Sequence, residues 1–189
     1  MSRDKLASIS YREGLFTPAQ AAACTGLSPA MQRNWRQAGH IAARTTEMAL
    51  FSPRDLAAIR IMVVLRGVGL GPALSRSIAE QAAPSVIFMA LGDYPSTWTV
   101  VGDAEQAAAY RERLELGDQH LRVMAGLTGP DFTYGVARGK AVHLVSEIND
   151  EAFDADDEVE SVIKLRVVAK RIALAATQPL MTLLLPLAS

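Results

Sequence analysis

The sequence predicts an α+β protein whose first part is helix and turn and whose second part mixes strands with helices. Three observations predict it. Hydroxyl–proline pairs recur early, at Thr17-Pro18, Ser28-Pro29 and Ser52-Pro53, and each reads as an N-cap followed by a proline at the first helical position. After Pro84 the four-residue apolar spacing gives way to short β-branched runs. Charge divides at the same place. Residues 1–82 hold ten Lys and Arg against five Asp and Glu, and residues 83–189 hold nine against fifteen, opposite surpluses within a net charge of −1.

The elements follow in order. Residues 1–14 read as an N-terminal tail. Thr17-Pro18-Ala19-Gln20 is a capping box that starts a helix at Pro18, and Gly26 stops it after Thr25. Ser28-Pro29 opens a second helix through Ala38, with Gly39 as its stop. Two short helices joined by a glycine turn make a helix-turn-helix. Ser52-Pro53-Arg54-Asp55 starts a third helix to about Arg66, on which Leu56, Ile59 and Val63 share a face. Gly67, Gly69 and Gly71 break it, and Pro72 begins a fourth helix bearing Leu74, Ile78 and Ala82, expected to stop at Ala83-Pro84. The residues between the second and third helices, His40 to Phe51, leave room for a small β-hairpin, or wing, bearing Arg44 and the β-favouring Thr45 and Thr46.

These residues resemble a known family. Phe16-Thr17-Pro18-Ala19-Gln20-Ala21-Ala22, Thr25-Gly26-Leu27-Ser28, Arg33 through Ile41 and Phe51-Ser52-Pro53-Arg54-Asp55-Leu56 together look like the MerR-type winged helix-turn-helix, over Leu15 to about Gln81. The resemblance implies DNA binding and a regulatory role, with the second helix in the major groove and the wing against the sugar-phosphate backbone. The chain departs from the family in the wing, where Glu47-Met48-Ala49-Leu50-Phe51 keeps only the final aromatic of a Gly-Tyr-Arg-x-Tyr run, and in lacking a heptad run after Ala82.

On the second helix, three- and four-residue spacing puts Ala30, Arg33, Asn34 and Gln37 on one side and Met31 and Trp35 on another. Arg33 suits a guanine edge, and Asn34 and Gln37 suit adenine. Gln32 and Arg36 flank the face where phosphates would lie. The N-cap residues Thr17 and Ser28 complete the candidate DNA contacts on the two helices. Trp35 reads as core packing under the first helix. Arg44 is placed for the minor groove or phosphates, or is an ordinary surface arginine.

Val86–Leu91 and Thr97–Val101 read as strands around a Gly92–Ser96 turn. Asp103 caps a helix with Ala107, Tyr110 and Leu114 on one face. Phe132–Ala137 and Val142–Ile148 read as strands, Asn149–Glu160 as an acidic loop, Leu165, Val168, Ile172 and Ala175 as a last helix, and Leu180–Leu185 as a final apolar strand. That strand is either a subunit contact at a sheet edge or ordinary core. The reading is thus an N-terminal winged helix-turn-helix domain, residues 15–84, followed by a small mixed α+β domain, residues 85–189, for dimerisation or sensing.

Other chemistry is not expected. The single Cys24 has no intramolecular disulfide partner, the three histidines lack metal-ligand spacing, and the acidic run Asp154–Glu160 has Val159 where a calcium loop needs glycine. Gly67-Val68-Gly69-Leu70-Gly71-Pro72 resembles a dinucleotide glycine loop only superficially, since it follows a helix and has proline at the sixth position, and it reads as a helix-to-helix joint. No cofactor, metal or enzymatic activity is expected. The expected partners are double-stranded DNA, a second copy in a homodimer, and a protein or small-molecule effector on the C-terminal part. The polar start and the absence of a span of roughly 20 apolar residues lead us to expect a cytoplasmic protein without membrane contact. A rival class is a protein-interaction adaptor whose winged module docks a protein.

Overall fold

The computed structural model describes residues 10–42, 49–116, 118–138, 140–148 and 161–186. Arg44, Thr45 and Thr46 of the expected wing and the acidic loop 149–160 lie outside the described residues. The architecture is mixed α+β, with the class as expected. In chain order the elements are β1 (Ser10–Glu13), α1 (Pro18–Thr25), α2 (Pro29–Gln37), α3 (Pro53–Gly67), α4 (Pro72–Asp93), β2 (Trp98–Val101), α5 (Ala104–Leu116), α6 (Asp118–Ala125), β3 (Tyr134–Arg138), β4 (Ala141–Val145), β5 (Ser161–Lys164), α7 (Leu165–Ala175) and β6 (Met181–Leu184).

Helix starts form where the capping chemistry puts them. Thr17 and Ser52 each complete a capping box, with Gln20 and Asp55 respectively, because a hydroxyl and a side chain three residues on satisfy the backbone donors a helix start leaves open. Asp103 Oδ1 accepts from the backbone of Glu105 and Gln106 and so starts α5 as expected. Tyr110 is buried on that helix, whereas the side chain of Leu114 lies outside the described residues. The last helix also forms as read, with Leu165, Val168 and Ile172 buried.

The fourth helix does not stop at Pro84. It runs on to Asp93, so the expected strand Val86–Leu91 is helical. An internal proline costs a helix about 3 kcal/mol through its missing N–H and ring clash. Burial of Val86, Ile87 and Leu91, each nearly inaccessible, returns about 1.5–3 kcal/mol per side chain and outweighs it. The buried residues of α4 include Ser75, Ala79, Ala82, Ala83, Val86, Ile87, Ala90 and Leu91, and Leu74, which shares the four-residue spacing of Ile78 and Ala82, is 60% exposed. The C-terminal end of α4 is closed by side chains from the next segment: Thr97 Oγ1 donates to Ala90 O, and the Trp98 indole donates to Leu91 O at 3.1 Å.

Two three-stranded sheets flank these helices. One has the order β1-β6-β2, with β6 antiparallel to β1 and parallel to β2, and the other is antiparallel with the order β4-β3-β5. Two expectations are corrected here. Ser10–Glu13, read as tail, is a strand that pairs Ser10 with Leu184 and Glu13 with Met181. The final apolar strand lies at the centre of its sheet and is buried, which removes it as an edge for a subunit contact. Helix α6 was not anticipated. The strands expected at Phe132–Ala137 and Val142–Ile148 are present as β3 and β4 with shifted ends.

The expected division after residue 84 falls inside α4. One hydrophobic cluster runs from Phe16, Trp35 and Leu56 through Ile87 and Leu91 to Ile172 and Leu183. Helix α7 packs on α1, α3 and α4, so residues from both charge halves share this core. Among the described residues no helix is long and apolar enough to cross a membrane.

Candidate nucleic-acid interface

The candidate interface is built on α1, the turn Gly26-Leu27-Ser28 and α2. Gly26 takes φ 77°, a left-handed conformation that glycine adopts without a Cβ clash, and its N–H closes α1 onto Ala22 O. The Thr25 hydroxyl donates back to Ala21 O at 2.7 Å and accepts from Leu27 N. This fixes the turn from inside. Ser28 then caps α2 by accepting from Met31 N, and Gly39, at φ 74°, ends it.

Burial sorts α2 into two sides. Ala30, Arg33, Asn34 and Gln37 are all exposed on one side, and Trp35 is buried, 4% exposed, on the other. Among the described residues nothing from the acidic part of the chain covers that exposed side. Gln32 requires a correction. It is 1% exposed, and its amide donates to Pro18 O at 3.0 Å and Leu27 O at 2.8 Å, so it bridges α1 to the turn and is not free to meet a phosphate. The remaining candidates divide similarly. Thr17 Oγ1 and Ser28 Oγ are engaged in their caps although both residues are exposed, and the Arg36 guanidinium sits 5.0 Å over the Phe51 ring. Arg44 lies outside the described residues.

Three contacts hold this unit against the rest of the chain. Phe16 and Phe51 exchange both backbone hydrogen bonds, each 2.9 Å, so the segment that leaves α2 returns to pair just ahead of α1. Arg76 of α4 donates to Gly39 O at the end of α2 and forms an i,i+4 ion pair with Glu80. Arg60 of α3 donates to Thr25 O, 3.1 Å away, at the C-terminal end of α1. Sequence reading missed these two arginines because neither belongs to a local motif. The one available signal was an arginine set among the apolar residues Ile59 and Ile61 of α3.

The electrostatics of the junction follow from burial. Desolvation pushes the Cys24 thiol above its usual range, partly opposed by the positive charge of Arg171 on α7. Desolvation, with the same Arg171 as a like-charged neighbour, pushes the Arg60 guanidinium down. Among the described residues there is no group of three or more His, Cys, Asp or Glu able to hold a metal ion. The exposed row on α2 offers a guanidinium fork and two carboxamides on adjacent turns, groups that match base edges in donor and acceptor pattern. Compared with protein-family models and with curated proteins, the chain matches none.

Proposed function

We propose that this chain is a DNA-binding transcriptional regulator of the MerR-like winged helix-turn-helix kind, with its C-terminal part serving self-association or the sensing of a ligand or partner. The observation that carries the reading is the exposed row Ala30, Arg33, Asn34 and Gln37, held outward by two buried neighbours on the same helix, Gln32 and Trp35. A base-reading helix needs this combination. Its polar groups must be free, and its orientation must be fixed from behind so that ordering on DNA costs little.

In this reading α2 enters the major groove. Arg33 donates twice to guanine, and Asn34 and Gln37 pair with adenine. Segment 43–48, with Arg44, would brace the backbone beside it. Arg33→Ala is expected to weaken binding to the cognate duplex by about 1–3 kcal/mol and to relax selection at one base position. Gel retardation over a randomised-site library measures both. Affinity that stays flat as salt rises, or capture of a protein partner without any DNA retardation, would favour the adaptor reading instead.

A further inference from the structure

We propose that the cleft at the foot of α2 is a binding site for a small amine with an apolar body, and that its occupant acts on α2 by taking Glu80 from Arg76. The cleft holds about 350 Å3 and lies between the residues that leave α2, one side of α3 and Glu80 of α4. Small-molecule sites run from roughly 300 to 1,000 Å3. Ile41, Ala58, Ile59 and Met62 give it an apolar lining, and all four are buried. Asp55, Ala58, Ile59 and Met62 recur at three- and four-residue spacing, so one side of α3 makes a trough about 10 Å long. That length suits an extended alkyl or phenylalkyl group.

Charge decides which polar end the ligand carries. Arg54 and Asp55 bring opposite charges together from the start of α3, and Arg54 is engaged with Gly126 O at 3.5 Å. Glu80 is the lining charge that α4 contributes, and one guanidinium spans it and the end of α2, whose last carbonyls carry partial negative charge. This place therefore already takes a cation. Arg76 donates from Nε to Glu80 Oε1 at 2.8 Å and from a terminal nitrogen to Gly39 O. The two side chains are 41% and 56% exposed, so the pair is screened and open to exchange. Glu80 lines the cleft, whereas Arg76 does not. An ammonium entering from the cleft meets the carboxylate that holds Arg76, and burial of its apolar body on the lining adds to its hold. Once Arg76 loses Glu80, its bond to Gly39 O weakens, and with it the closing turn of α2, where Gly39 N donates to Arg36 O and His40 N to Trp35 O. Ligand binding does not rest on the DNA-binding reading; only its effect on base contacts does.

The full chain is titrated by calorimetry near neutral pH with phenylbutylamine, phenylbutanol and phenylbutyrate, which share a body and differ in charge. The amine is expected to bind about tenfold more tightly than the alcohol, and the acid more weakly than either. Glu80→Gln removes the advantage of the amine, and Glu112→Gln, at an exposed carboxylate on α5, leaves it. Arg76→Gln removes the competitor and tightens amine binding by up to about fivefold. Opposite effects at the two partners of one ion pair separate competition from loss of structure, which would move both the same way.

Two further readouts follow α2. Amine binding is expected to speed amide exchange at Gly39 and His40 in the wild type and not in Glu80→Gln. In gel retardation the amine is expected to shift duplex affinity severalfold in the wild type and not in Glu80→Gln. A chain that binds the amine and retards no DNA ends the DNA reading and leaves the cleft as a ligand site. No measurable amine binding, equal binding of amine and alcohol, an amine affinity that Glu80→Gln leaves unchanged, or one that Glu80→Gln and Arg76→Gln both lower, overturns the amine site. Amine binding without faster exchange at Gly39 and His40 overturns its link to α2.

Discussion

A single carboxamide, that of Gln32, reaches two backbone carbonyls of the α1–turn unit and so fixes the angle at which α2 leaves it. Gln32→Ala leaves the buried Leu27 carbonyl without this donor and is expected to lower unfolding free energy by about 1–3 kcal/mol in a urea titration. Its neighbours Arg33 and Asn34 are equally polar in sequence, and only burial separates them. The sequence could not assign Gln32 because a polar residue at the margin of an amphipathic helix is turned inward by the carbonyls it finds there, and those belong to residues 18 and 27. Trp35 was legible, since an indole between polar neighbours on a short helix has one apolar place to go. Cys24 gives the residue scale its pH dependence. Its thiol is raised by burial, so the unfolded chain releases its proton first and stability falls as pH climbs from the ordinary thiol range of roughly 8.5 through the native value. Tyr11 is also raised by burial and adds a loss at higher pH. Cys24→Ala is expected to flatten the first decline and leave the second, measured as chemical-denaturation midpoints from about pH 8 to about pH 11, so that both the thiol and the phenol ranges are covered.

Helix starts are the elements that sequence announces best, because a capping box lies within four residues and needs no tertiary partner. All three hydroxyl–proline starts form, and so does the start at Asp103. Helix ends and short apolar runs depend on what packs against them. Val86–Leu91 has a strand's length and composition, but the surrounding helices bury it on several sides as part of α4, and periodicity cannot distinguish a buried strand from a fully buried helix. Pro84 had the force of a stop only while that burial was unknown. Just after it, Ser85 Oγ accepts from Phe132 N at 3.0 Å and ties α4 to the approach of β3. Ser85→Ala is expected to cost about 1 kcal/mol and to loosen that approach, seen as faster amide exchange at Phe132. The missed α6 and the central position of β6 have the same cause, since both are decided by partners distant in sequence.

For the molecule as a whole, the halves that differ in charge share a core. Trp35 and Trp98 sample the two sides of the expected division, and both are buried in the one cluster. Single-tryptophan forms carrying Trp35→Phe or Trp98→Phe are expected to give coincident urea midpoints, because a continuous core unfolds in one step; well-separated midpoints would mean the halves fold independently. Charge asymmetry was real in the sequence, and the point where its sign changes lies inside α4. The sheet β1-β6-β2 also sets an order for biosynthesis. During translation β1 and β2 emerge early, while the strand that must lie between them is still inside the ribosome. Helices of the early segment can pack as they appear, but this sheet closes only when β6 clears the exit tunnel, and a transcript cut short before residue 181 would yield a polypeptide with two orphaned strand edges, a natural target for chaperones and proteases.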